Sequence, residues 1–115
     1  MLEMIFVDSQ SYDSLGVGSH KAVFKGLEPT ETQNGKAWRW RFETLDGKKT
    51  SELSDRESPP SPKNKTGRFL MALASKPFAA GDKLDPEVYI GKTYLLIVEP
   101  KGDGKTKIST FTAIE

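Results

Sequence analysis

Three patterns in this 115-residue chain predict a mainly β domain: five strands wound as a Greek-key barrel, with one α-helix between strands 3 and 4. Residues 37–45 alternate strictly, with Trp38, Trp40 and Phe42 on one side and Arg39, Arg41 and Glu43 on the other. An extended strand turns that period of two into two distinct faces. Asn34-Gly35, Asp46-Gly47 and Gly102-Asp103-Gly104 are hairpin-turn signals, each set between segments of strand composition. After Ser61-Pro62, Phe69, Leu70 and Leu73 fall on one face at helical spacing.

The elements follow in order. Residues 1–19 read as a polar, turn-rich lead-in with little core potential, with a short strand expected at Met4 to Val7. The domain proper is assigned to residues 20–115. Strand 1 is expected at about His20 to Glu28, with Ala22 and Phe24 facing one way and Lys21, Val23 and Lys25 the other. Gly26 marks a bend or bulge, and Pro29 a strand end or edge. Strand 2 spans about Ala37 to Leu45. One face carries two guanidinium groups and cannot be buried cheaply, so the aromatic row is expected inside and the arginine row outside. Strand 3 follows at about Lys48 to Leu53.

Ser61 is expected to cap a helix beginning at Pro62 or Lys63 and ending at Ser75, before Lys76-Pro77. Lys63, Lys65 and Arg68 oppose the helix dipole at its N-terminal half, so their placement either has a separate reason or is merely tolerated. Val88, Tyr89 and Ile90 are expected to dock on the barrel from the following connector. Strand 4 covers about Thr93 to Glu99; its run Leu95-Leu96-Ile97-Val98 suggests burial on both faces or a barrel-closing role. Strand 5 covers about Thr106 to Ile114. Three strands, a helix and two strands is the element order of the OB fold, so the expectation is a five-stranded OB-type Greek-key barrel.

A second line points the same way. Gly18 to Thr32, Gly35, Trp40-Arg41-Phe42-Glu43 with Asp46-Gly47, Pro62-Lys63-Asn64-Lys65, Gly67-Arg68-Phe69-Leu70, Ala80-Gly81-Asp82 and Ile90-Gly91-Lys92 together resemble a group of uncharacterised phage and bacterial OB-fold proteins. The likeness covers about residues 16–114 and rests on glycines and barrel residues. It implies a single-stranded-DNA-binding or replication-associated module, and it assigns no functional residue.

Composition narrows the chemistry. With 36% apolar and 29% charged residues, the chain has an ordinary soluble globular make-up. It has no cysteine, hence no disulfide framework, thiol nucleophile or cysteine zinc site. No run approaches the ~20 apolar residues of a membrane helix. The N-terminus lacks the basic flank of a signal peptide, so a cytoplasmic location without membrane association is expected. Net charge is only +1, but residues 1–19 hold Glu3, Asp8 and Asp13 and no basic side chain, which leaves the rest mildly basic.

A catalytic triad would have to use His20, the one histidine. Gly91-Lys92-Thr93 and Gly104-Lys105-Thr106 lack the upstream glycine of a P-loop and precede strands rather than a helix. Asp82, Asp85 and Glu87 lack calcium-loop spacing, and Glu28 with Glu31 implies no cleft for glycoside chemistry. The reading is therefore a non-enzymatic module without cofactor or metal.

OB folds bind extended ligands on the face of strands 2 and 3, flanked by the loops between strands 1–2 and 4–5. That mapping selects Lys36, Arg39, Arg41, Lys48, Lys49, Lys105 and Lys107 as a basic surface. Trp38 at the strand 2 start is either a base-stacking platform or rim packing. A solvated charged face is the plain alternative for the arginines, with Glu43 available to pair with Arg41. The expected ligand is single-stranded DNA, with RNA less favoured. The alternative is a protein-interaction or assembly module in a phage or replication complex, including a homo-oligomer formed through edge strands.

Overall fold

The computed structural model describes residues 12–114, so the strand expected at Met4 to Val7 lies outside the described residues. The chain is mainly β, with β1 (Gly18–Thr32), β2 (Gly35–Thr44), β3 (Lys49–Asp55), α1 (Lys65–Ala74), a single 3-10 turn (Pro86–Tyr89), β4 (Thr93–Gly102) and β5 (Lys105–Ala113). All five strands join one antiparallel sheet in the order β3-β2-β1-β4-β5.

β1 is central because it is long enough to serve two partners. Gly18 to Val23 pair with β4, and Ala22 to Thr32 pair with β2. The pairing with β2 is interrupted by a bulge, since Phe24 lies opposite Phe42 but Gly26 lies opposite Arg41, leaving Lys25 as the extra residue. Gly26 takes φ 138°, which a side chain would resist. The bulge also resets the alternation. Ala22 and Phe24 point inward before it, and Leu27 packs inward opposite Trp40 after it. Glu28 is thereby carried to the outer face, opposite Arg39.

The strand expectations hold to within a few residues, and one turn differs in detail. At the β1–β2 hairpin Thr32 pairs with Gly35, so Gln33 and Asn34 are the central residues. The positive φ (119°) falls on Gly35, just after the turn. At the β4–β5 hairpin Asp103 and Gly104 both take positive φ (53° and 72°), as a tight primed turn demands.

The inner face holds an aromatic cluster. Phe24, Trp40, Phe42, Phe69, Tyr94 and Phe111 are all buried. Phe111 is its hub, with ring centroids 5.0 Å from Phe69, 5.1 Å from Phe42 and 5.3 Å from Tyr94. Edge-on ring pairs of this kind add to the stabilisation from burial alone. In the β4 run only Leu96 and Val98 are fully buried; Leu95 and Ile97 on the opposite face are half-buried. In the connector Tyr89 packs against the core, whereas Val88 and Ile90 stay exposed.

α1 begins later than the Ser61-Pro62 signal predicts. The cap is Asn64: its Oδ1 accepts from the backbone N–H of Gly67 at 2.8 Å and of Ser61 at 3.2 Å, while its Nδ2 donates to Pro59 O. Ser61 Oγ instead accepts from Lys63 N–H in a local turn. Phe69 and Leu73 bury the helix face against β5 and β3. A polar chain ties helix to sheet. Trp40 Nε1 donates to Ser54 Oγ at 2.8 Å. Thr66 Oγ1 lies 2.7 Å from both Ser54 Oγ and Asp55 O. A hydroxyl has one proton, so Thr66 donates to the carbonyl and accepts from Ser54.

The sheet is not closed by strand pairing: among the described residues no ladder joins β3 to β5. Other groups bridge the two edges. Glu52 on β3 accepts the Ile108 N–H of β5 through Oε1 at 2.9 Å. The segment 12–16 also crosses between them. Asp13 N–H donates to Lys49 O at 2.6 Å, and Thr106 Oγ1 donates to Leu15 O at 2.8 Å. Leu15, which the sequence places in a polar lead-in, is 4% exposed and belongs to the core. A single apolar side chain amid serines and glycines carries no periodicity, so its burial has no sequence signature.

Candidate nucleic-acid interface

The alternation in β2 sends Trp40 and Phe42 to the core and Arg39 and Arg41 to the outer face. Neither arginine stands alone there. Glu28, delivered by the bulge, lies 3.7 Å from Arg39 Nε and 3.8 Å from Arg41 Nη1. One carboxylate thus offsets part of both charges; the pairing anticipated between Arg41 and Glu43 is replaced by this one. Arg39 is further fixed by donating from Nη1 to Ser51 Oγ on β3 at 2.9 Å. Its guanidinium sits 4.8 Å from the ring centre of Tyr12, within cation–π range.

Tyr12 joins this face without having been expected from the sequence. It lies before β1 in the segment that crosses between β3 and β5, and it lines a small groove together with Asp13, Leu15, Thr50, Ser51, Glu52, Thr106 and Lys107. Lys49 borders the same region through its carbonyl, which holds Asp13. Of the expected site residues, Arg39, Arg41, Lys49 and Lys107 therefore gather on or beside this face.

The others are dispersed. Lys36 is the second residue of β2, at the far hairpin; Glu43, seven residues along, pairs with Lys49, a separation of about 23 Å at strand rise. Lys48 sits in the β2–β3 turn and Lys105 at the β4–β5 turn, both exposed. Beside Lys48, the Thr44 hydroxyl and then the Lys48 charge hold the Asp46 carboxyl below its ordinary value. Trp38 is half-buried against the core on the inner side, with the Arg56 guanidinium 5.5 Å from its ring centre. Arg56 also donates to Ala37 O and Thr30 O, which keeps it there.

His20, Asp82 and Asp85, weighed for other chemistry, make local contacts. His20 Nε2 lies 2.6 Å from Gly16 O. Asp82 accepts from Ala79 N–H, and Asp85 caps the 3-10 turn through Glu87 N–H. Among the described residues no group of three or more His, Asp or Glu side chains could hold a metal ion, and no helix is long and apolar enough to cross a membrane. In comparison with known proteins, no family model and no curated sequence matches the chain.

Proposed function

We propose that the chain is an OB-type module that binds single-stranded nucleic acid, DNA in preference to RNA, across the outer face of β2 and β3. The observation that carries this is the pairing of a basic outer face, where Arg39 and Arg41 share Glu28, with an aromatic side chain, Tyr12, which touches Arg39 and lines a groove at the β3–β5 seam together with Lys107. Cationic groups with an aromatic surface are what an extended, unpaired strand requires of its binder. The strand order supports the OB assignment: β3 and β5 are the two sheet edges, they approach each other at Glu52 and Ile108, and the helix between β3 and β4 packs on both. The likeness to phage and bacterial replication modules, a cytoplasmic location and a non-catalytic role are part of the same proposal.

The test is anisotropy of a labelled oligo-dT at two salt concentrations. Micromolar or tighter binding that weakens steeply with salt is expected, because paired phosphates release counterions. Arg39→Glu with Arg41→Glu should abolish it while leaving the fold intact. No detectable binding at low salt would overturn the proposal.

A second reading has its own observation. Glu28 offsets part of the arginine charge, and Leu53 and Ile90 stand 37% and 48% exposed nearby, Ile90 beside Gly26 and Arg41. Apolar groups among half-offset charges also suit a protein partner. Salt-insensitive complex formation, or self-association in light scattering, would favour that reading.

A further inference from the structure

We infer that Tyr12 is the base-stacking platform of this face, a role that rests on the nucleic-acid reading above. A stacking platform must lie on the same side as the cations that hold the phosphates, and it must be fixed. The β2 aromatics fail the first requirement: Trp40 and Phe42 are in the core, and Trp38 is on the inner side beneath Arg56. Tyr12 meets it, half-buried and set against the Arg39 guanidinium.

It meets the second requirement through its neighbours. Asp13 N–H is held by Lys49 O, Leu15 is sunk in the core, and Leu15 O accepts from Thr106. A ring on a segment pinned at these points loses little freedom when a base stacks on it, which preserves affinity. Arg39 is itself restrained by Ser51 and Glu28, so ring and guanidinium form a ready-made pair. Lys107 lines the groove beside the ring, and Lys49 begins the strand next to it, where flanking phosphates would lie. The ligand this arrangement takes is an unpaired base of any identity, since every base offers a π-face.

The experiment compares the full chain with Tyr12→Phe, Tyr12→Leu and Tyr12→Trp for oligo-dT binding, with circular dichroism on each. Phe keeps the ring and should bind within about two-fold of wild type. Leu keeps apolar bulk without a π-face and should lose roughly ten- to a hundred-fold, the loss expected for one stacked base. The Tyr12→Trp variant should show emission quenched by oligonucleotide beyond any change in wild type, a readout that holds even if the Leu variant folds poorly. Wild-type binding that Tyr12→Leu leaves unchanged, or a binding-competent Tyr12→Trp variant without that added quenching, would overturn this inference alone. Absence of binding by the wild type would overturn the proposed function with it.

Discussion

Glu52 Oε1 receives the backbone N–H of Ile108 across the seam between the two sheet edges, at 2.9 Å. Its other oxygen pairs with Lys65 in the first turn of α1. The misplaced cation at the helix start thus has its reason: the dipole penalty is small beside the pairing with a carboxylate that is only 11% exposed. Glu52→Ala would strand both the ammonium and the Ile108 N–H. A loss of about 2–3 kcal/mol in urea unfolding is expected, with Glu52→Gln recovering part of it because an amide oxygen can still accept from Ile108.

Gly67 is required by close approach rather than by φ. A Cβ there would overlap Ser61 O and fall 2.7 Å from Ser61 N, both backbone atoms that the Asn64 cap holds in place. Gly67→Ala should therefore destabilise by about 3 kcal/mol despite the better helix propensity of alanine. Gly16→Ala, with nothing within 4 Å of the added carbon, should stay within about 0.5 kcal/mol. Paired denaturation curves check the contrast.

Tyr94 donates its hydroxyl to Leu73 O at 2.6 Å, holding the C-terminal end of α1. Burial first, and then neighbouring Tyr89, push its phenol up to about 12 from an ordinary 10.0. The folded state therefore favours the neutral form. The stabilisation is complete below pH about 10 and is lost as pH rises towards 12. Urea midpoints should fall across that window more steeply for wild type than for Tyr94→Phe, which should start about 1 kcal/mol lower at neutral pH.

Removing the Glu28 charge should strengthen nucleic-acid binding if the outer face is the interface. Glu28→Gln releases Arg39 and Arg41 from a shared, partly exposed carboxylate. Exposed pairs are weak, so the gain in oligo-dT affinity should be modest, up to about five-fold, with a steeper salt dependence. Anisotropy titrations at two salt concentrations measure both.

Local patterns carried most of the strand layout. The Trp-Arg alternation in β2 settled which faces turn inward, and Asp103-Gly104 fixed a turn whose backbone needs those residues. What stayed hidden depended on contacts between distant segments. The parity reset at Gly26 could be suspected from the glycine, but its consequence, Glu28 beside two arginines, required the pairing register. Asn64 displaced Ser61 as cap because its amide reaches three backbone groups at once, a competition that composition does not rank. Tyr12 and Leu15 gave no signal because one tyrosine and one leucine in a polar stretch form no repeat; only the seam they cross gives them meaning.

That seam joins parts of the chain synthesised far apart: Leu15 and Thr106 are 91 positions from each other, and Glu52 and Ile108 are 56. The β1–β2–β3 meander can form from neighbouring residues soon after it leaves the ribosome. Phe111, on which four other rings converge, arrives only with β5. A nascent chain must therefore wait with an unfilled aromatic pocket, and folding should be slow for a domain of this size, since distant partners have to meet before the core can form.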